Sequence, residues 1–343
     1  MPTILVTGGA GFIGSNFIRY WLSHHPDDVV VNLDRLTYAG TLTSLHDVAE
    51  RYPDRYRFVR GDIGNSELVR HLLASFKPAV VVNFAAESHN SRAVVDPDVF
   101  FHTNVLATQR LAAAVRDAEV ARFHHVSTCE VYGDLPLDAG PEQAFTEHSP
   151  FRPRTPYNAA KAGGDLAVRA YHDTFGLPAT ISHCSNNYGP YQFPEKVIPL
   201  FAISALQGRP LPVYRSSAHR REWLHVEDHC RALERIVLDG APGSSYNIGS
   251  GVELSVDQVA DLVLDALGLE ASRKQYVPDR PGHDRRYLLD SAKIRAELGW
   301  EPKIPIEQGI RETVAWYRDH RWWWQPLLDR LAVDEHAWQD DHR

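Results

Sequence analysis

The chain is short of several things, and each shortage narrows what it can be. No run of about 18 consecutive apolar residues occurs anywhere in its 343 residues, so no helical membrane span is expected. Cysteine is sparse: Cys129, Cys184 and Cys230 are far apart, odd in number and free of Cys-x-x-Cys spacing. That argues against zinc or a redox pair and fits a reducing, cytoplasmic setting. Positive charge is also in deficit, with 36 Lys and Arg against 44 Asp and Glu and a net charge of −8. An acidic chain has no long-range attraction to nucleic acid or to an anionic membrane. The amino terminus lacks a basic segment followed by an apolar one, since Ile4-Leu5-Val6 runs straight into glycines. No internal repeat is visible, and the 18 histidines form no mixed Cys/His zinc spacing, so no metal site is expected.

What is present is ordinary for a globular protein: 43% hydrophobic and 23% charged residues, enough to bury a large core. Short β-rich apolar runs begin at Thr3, Val29, Arg57, Ala79, Phe123 and Ala179 and alternate with helical patterns. This alternation predicts an α/β fold, a doubly wound Rossmann-type parallel sheet with helices on both faces. Beyond about residue 186 the prolines Pro190, Pro194, Pro199, Pro210 and Pro212 mark a change of texture. Residues 1–185 are expected to form the cofactor domain. Residues 186–343 would form a smaller α/β substrate-binding lobe, with some segments returning to the first domain. Ser255 and Ser291 are placed to cap amphipathic helices. The aromatic stretch from Trp316 through Trp322-Trp323-Trp324 to Trp338 is expected to pack in the lobe.

Gly8-Gly9-Ala10-Gly11-Phe12-Ile13-Gly14 follows the first strand and opens a helix. Glycines there admit a pyrophosphate to the helix N-terminus, where unpaired N–H groups and the dipole favour negative charge. Asp34 ends the second predicted strand, where a carboxylate accepts from ribose hydroxyls and repels a 2′-phosphate. NAD is therefore favoured over NADP, with Arg35 adjacent. Asp62-Ile63, after the third strand, are expected to border the adenine.

Tyr157 and Lys161 stand four apart, one helical turn on one face. A nearby ammonium favours the phenolate, which would make Tyr157 a base for a sugar hydroxyl. Ser127-Thr128-Cys129-Glu130 falls at a predicted strand end, where doubly wound folds place ligands.

With these residues the chain resembles the extended short-chain dehydrogenase/reductase family. Ala85-Ala86-Glu87-Ser88-His89, Glu130-Val131-Tyr132-Gly133-Asp134, Ser185-Asn186-Asn187-Tyr188-Gly189-Pro190, Phe193-Pro194-Glu195-Lys196 and Asp279-Arg280-Pro281-Gly282-His283-Asp284 resemble, within it, the dTDP-glucose 4,6-dehydratases. The resemblance implies an NAD-dependent lyase acting on a nucleotide-diphosphate sugar. C4 is oxidised with Tyr157 taking the hydroxyl proton and Thr128 binding the oxygen. Glu130 then removes the C5 proton, water leaves C6, and the product is a 4-keto-6-deoxy sugar.

The same resemblance implies a cofactor set of Gly8, Gly11, Phe12, Ile13, Gly14, Asp34, Arg35, Leu36, Thr37, Asp62, Ile63, Phe84, Ala85, Ala86, Ser88, Thr103, Tyr157, Lys161 and Asn187. It implies a substrate set of Ser88, His89, Thr128, Asn186, Glu195, Lys196, Val197, Pro212, Val213, Tyr214, Arg221, Asn247, Arg280, His283 and Tyr287. Arg221 and Lys196 are natural diphosphate partners. The helix after Thr103-Asn104 and the helix carrying Tyr157 are rich in small residues, and in the resembling family such helices form a homodimer.

The pattern breaks at Cys129, where the resembling enzymes carry the aspartic acid that protonates the leaving hydroxyl, and at Asn90-Ser91, where they carry valine and aspartate. It also breaks at Arg215-Ser216-Ser217-Ala218-His219, where a glycine-containing loop is usual. Several outcomes stay open. Cys129 can act as a weak acid, or Glu130 can serve both proton steps. A 5,6-ene can be released, making the enzyme a 5,6-dehydratase; a Cys129 thiolate can epimerise C5; lost elimination can leave a 4-keto product or a 4-epimerase; or Cys129 can be a small buried apolar filler in a nearly inactive site. A non-catalytic nucleotide-sugar-binding protein is the alternative of another class. The joint presence of Thr128, Glu130, Tyr157 and Lys161 argues against it.

Overall fold

Strict alternation of apolar side chains builds the central sheet of the computed structural model, which describes residues 2–278 and 284–331. In β1 (Thr3–Thr7), Ile4 and Val6 face one helical layer and Leu5 the other. β2 (Val29–Asp34), β3 (Tyr56–Arg60), β4 (Val80–Asn83), β5 (Arg122–Thr128) and β6 (Ala179–Cys184) follow, separated by helices. After them come β7 (Asn186–Tyr188), β8 (Leu211–Tyr214), β9 (Arg220–His225), β10 (Ser245–Ile248), β11 (Glu253–Ser255) and β12 (Lys274–Val277). Seven strands form one parallel sheet in the order β10-β6-β5-β4-β1-β2-β3. Strand order reverses between β1 and β4, and the crevice above that switch point is where such sheets bind ligands. β10 pairs with β6, so a segment beyond residue 186 completes the first sheet.

Phe17, Ile18, Trp21 and Leu22 of helix Phe12–His24 pack on one face of the sheet with Leu233, Ile236 and Val237 of helix Val226–Asp239. Helices Ser66–Phe76, Thr108–Asp117 and Pro156–Phe175 cover the other. The lobe has its own core of helices Val197–Leu206, Val256–Ala266 and Ile306–Asp319. Trp323 and Trp324 belong to that core, while Trp322 is 56% exposed. Trp338 lies outside the described residues. Ser255 caps its helix in a capping box with Gln258. Ser291 does not cap: its hydroxyl meets the amide of Gly249 at 2.9 Å instead. The small residues Gly163 and Gly164 serve contacts within the chain, since a Cβ on Gly164 would lie 2.4 Å from Asn104 O and one on Gly163 would lie 2.9 Å from Val105 Cγ2.

A buried polar ladder crosses the sheet. Thr7 Oγ1 donates to Asn83 Oδ1 (2.6 Å), and Asn83 Nδ2 donates to His125 Nδ1 (3.0 Å). His125 Nε2 stands 3.4 Å from Asp165, which also accepts from Ser127 Oγ (2.8 Å) and contacts His183 Nε2 (3.1 Å). Tyr132 links His183 to Asn247. Every rung is needed, because an unpaired polar group at this depth costs about 1–3 kcal/mol.

His225 and His229 have the spacing of a helical metal pair, yet their nitrogens are committed differently. Glu227 N donates to His225 Nδ1, whereas His229 Nδ1 lies 2.9 Å from Asn187 Oδ1. Asn187 Nδ2 donates to Ser185 O, which makes Oδ1 the acceptor and His229 the donor. Burial pushes His229 down to about 3 from the usual 6.5. Below pH 6.5 the unfolded chain therefore takes up a proton that the native state refuses, and stability falls with pH at up to ~1.4 kcal/mol per unit until the native histidine titrates. His229→Gln keeps a donor for Asn187 without titrating; Tm measured from pH 6.5 down to about 4 is expected to fall less steeply than in the parent.

Candidate active site

The first turn after β1 is shaped for close approach. Gly8 has φ +67°, and a Cβ there would lie 2.5 Å from Ala85 N. A Cβ on Gly14 would lie 2.5 Å from Gly8 O. The turn therefore packs against the segment after β4 and leaves the N-terminus of helix Phe12–His24 open, with no side-chain cap on Gly11. These exposed N–H groups fit a pyrophosphate. Asp34 is buried and accepts from Ala10 N (2.8 Å) and Leu36 N (2.7 Å), leaving lone pairs for a ribose. Desolvation raises its carboxyl, and the two backbone donors act in the opposite direction. Arg35 pairs with Asp62 at 3.2 Å across the same rim. Asn104 clamps the opposite wall by exchanging two hydrogen bonds with the Glu87 backbone.

A cleft of about 310 Å³ runs from this turn over the end of β5 to the lobe. That is large enough for a small-molecule site. Of the expected cofactor residues, all line it except Leu36, whose amide instead orients Asp34. Tyr38, Gln192 and Phe193 line it too, with no glycine motif or strand end to mark them in sequence. Tyr38 bridges the two halves, its hydroxyl donating to Glu195 (2.8 Å) while Arg92 lies 3.8 Å from its ring centroid.

Thr128 ends β5, and a 3-10 turn over Cys129–Tyr132 brings Glu130 into the cleft beside it. Thr155 caps helix Pro156–Phe175, whose first turns present Tyr157 and Lys161, both buried. Lys161 Nζ donates to Val126 O at 2.7 Å. The expected phenolate is not favoured by these surroundings. Burial raises Tyr157 well above its ordinary value, Glu130 and the thiols Cys184 and Cys129 add to this, and only the hydrogen bond with Thr128 opposes. Burial disfavours the Lys161 ammonium as well.

Cys129 is directed away from the cleft into a cluster with Val131, Tyr132, Ala162, Tyr287 and Leu289. Burial, then Glu130, raises its thiol well above the usual range. A Cys129 thiolate base is thereby disfavoured, and so is proton donation by so weak an acid.

Ser88, Thr128, Asn186, Glu195 and Lys196 of the expected substrate set line the cleft, and Lys196 Nζ donates to Ser88 O at 3.0 Å. His89, 3.9 Å from Glu195, and Val197, at the start of a lobe helix, stand just behind it. Other expected substrate residues are absent from the cleft lining. Val213 is 0% exposed in the lobe core, and Asn247 is 0% exposed with its amide committed to Tyr132 and Phe145 O. Pro212 and Tyr214 flank Val213 on β8, outside the cleft lining. Arg221 is also buried, donating to Asp284 O (2.6 Å) with its guanidinium 4.8 Å from the Tyr287 ring. Arg280 and His283 lie outside the described residues. Among the described residues no group of three or more His, Cys, Asp or Glu could hold a metal ion.

Gly8→Ala is expected to abolish NAD binding in a fluorescence titration and to lower stability by at least ~3 kcal/mol, because its Cβ meets backbone. Gly176→Ala is the control: φ is +70° but nothing lies within 4 Å, so only ~1 kcal/mol should be lost and binding kept.

The family described as GDP-mannose 4,6 dehydratase matches residues 5–313. A dTDP-glucose 4,6-dehydratase of Streptomyces niveus is 47% identical over 328 residues, covering 94% of this chain and 95% of the relative. One of Neisseria meningitidis is 45% identical, covering 96% and 97%. Among solved structures, a dTDP-glucose 4,6-dehydratase of Streptomyces venezuelae with NAD bound superposes with a TM-score of 0.90 at 47% identity, covering 95% of this chain and 99% of that one. A UDP-glucose 4-epimerase of Thermotoga maritima, with UDP-glucose, reaches 0.85 at 27% identity, covering 93% and 99%. With a Rossmann-type sheet, a dinucleotide turn and a Thr-Glu-Tyr-Lys site joined in one cleft, the chain belongs to the GDP-mannose 4,6 dehydratase family.

Proposed function

We propose that the protein is an NAD-dependent nucleotide-sugar 4,6-dehydratase, a carbon–oxygen lyase that converts an NDP-hexose to its 4-keto-6-deoxy form. The observation that carries this reading is the meeting of Thr128, Glu130, Tyr157 and Lys161 at one end of the cleft whose other end is the dinucleotide turn. NAD, when bound, supplies the two-electron oxidant for C4, the reductant that returns to C6, and a positive ring charge that favours the Tyr157 phenolate.

The protein's own residues do the rest. Tyr157 receives the C4 hydroxyl proton, and Thr128, already hydrogen-bonded to Tyr157, holds the same oxygen as it becomes a carbonyl. Lys161, one helical turn from Tyr157, has its Nζ held by Val126 O. Glu130 removes the C5 proton, made acidic by the new ketone. Lys196 and Asn186 lie on the lobe side of the cleft, where a diphosphate meets them. Because Cys129 is turned into an apolar cluster, Glu130 is the residue placed to pass the same proton to the departing C6 hydroxyl.

Exposed apolar side chains on the helical face that includes Leu166 (56%), Phe101 (42%) and Leu106 (47%) support a homodimer through these helices. Three buried free thiols support a reducing, cytoplasmic location.

Incubation with dTDP-glucose and other nucleotide-hexoses is expected to give a product lighter by one water, read by mass spectrometry, with NMR separating the 4-keto-6-deoxy sugar from the ene. Tyr157→Phe should lower kcat by roughly 10²–10⁴-fold. Unchanged mass with inverted configuration would instead mark an epimerase. Leu166→Glu should convert a dimer to a monomer in analytical ultracentrifugation, and a monomeric parent would refute the assembly.

A further inference from the structure

Glu130 and Tyr157 come from different elements, yet one side chain joins them. Asn90 Nδ2 donates to Glu130 Oε2 at 3.0 Å. On its other side, Thr155 Oγ1 donates to Asn90 Oδ1 at 2.7 Å. Thr155 is also the N-cap of the helix that carries Tyr157 and Lys161, its oxygen accepting from Asn158 N at 3.2 Å.

The direction of each bond follows from the inventory of hydrogens. A backbone amide can only donate, so Thr155 Oγ1 accepts from Asn158 and keeps its single hydrogen for Asn90. A carboxylate only accepts, so Asn90 turns its NH2 to Glu130 and its carbonyl to the Thr155 hydroxyl. Tyr157, Cys129 and Tyr287 are raised well above their ordinary values, and Cys184 is pushed up to about 12, burial being the first cause in each case and Glu130 a further one.

We infer that Asn90 is a positioning residue for the C5 proton step. By donating to Glu130 Oε2 while anchored on the Thr155 cap, it sets the orientation of the carboxylate relative to Tyr157. The inference rests on the reading of Glu130 as the C5 base. It assigns a role to a side chain outside the cleft lining. Oxidation at C4 uses Tyr157, Lys161 and Thr128, none of which depends on the donor end of Asn90. Proton removal at C5 uses Glu130, which does. Loss of that donor should therefore split the two steps.

Asn90→Leu removes both ends of the link at similar volume. Asn90→Asp keeps an acceptor for Thr155 and removes the donor, so it serves if the leucine variant folds poorly. Each would be mixed in a single turnover with the nucleotide-hexose that the parent dehydrates. Reduced nicotinamide is followed by absorbance, and solvent deuterium entering C5 by NMR. In both variants cofactor reduction is expected at close to the parent rate, with reduced cofactor accumulating while exchange at C5 and product formation fall by about 10–100-fold, the scale of a misplaced catalytic group. Unchanged product formation, or an equal fall in both steps, would overturn the role of Asn90. If the parent neither reduces its cofactor nor loses water with any nucleotide-hexose, the functional reading fails and takes this inference with it.

Discussion

A carboxylate with no contact with solvent, Asp165, holds the helix of Tyr157 and Lys161 against the sheet. In a low-dielectric interior such a charge survives only with partners: Ser127 and His183 meet its Oδ2 from β5 and β6, and His125 of β5 stands 3.4 Å from its Oδ1. Those partners lower its carboxyl against the upward pull of burial. Tyr157, Lys161 and Asp165 are spaced at whole helical turns, so one buried anchor sets the height of all three above the strand that ends in Thr128. Helix register and strand register are thus linked, and the site exists because they are.

Around that anchor the cleft is built from short-range geometry. At Gly8 the backbone must adopt positive φ and lie against Ala85, which brings the end of β1 and the segment after β4 to one crevice. Asn104 holds the far wall through the Glu87 backbone, and Tyr38 ties the crevice to Glu195 in the lobe. The chemistry is divided accordingly. Backbone N–H groups face one end, titratable side chains the middle, and Lys196 with Asn186 the lobe.

Much of this was legible in sequence because it depends on local periodicity. Short β-rich apolar runs mark the strands, a four-residue interval puts Tyr157 and Lys161 on one face, and a glycine turn between strand and helix marks a dinucleotide. Less legible was where side chains at a turn point. Cys129 sits between two cleft residues, yet the 3-10 turn after β5 directs it into an apolar cluster. Asn247 and Val213 were expected at the ligand, but one is consumed by a buried hydrogen-bond ladder and the other by the lobe core. Ser291 has the chemistry of a helix cap and is taken by Gly249 instead. Each of these depends on a partner remote in the chain.

By itself, then, the amino-acid order determined the parallel sheet, its cofactor turn and the Tyr-Lys pair, because each is encoded by spacing within a few residues. Only the tertiary structure decided that Cys129 is buried outside the cleft lining, that burial disfavours the Tyr157 phenolate, and that Asn90 joins Glu130 to the cap of the Tyr157 helix. Burial and hydrogen-bond direction set these outcomes, and both depend on which distant segments meet.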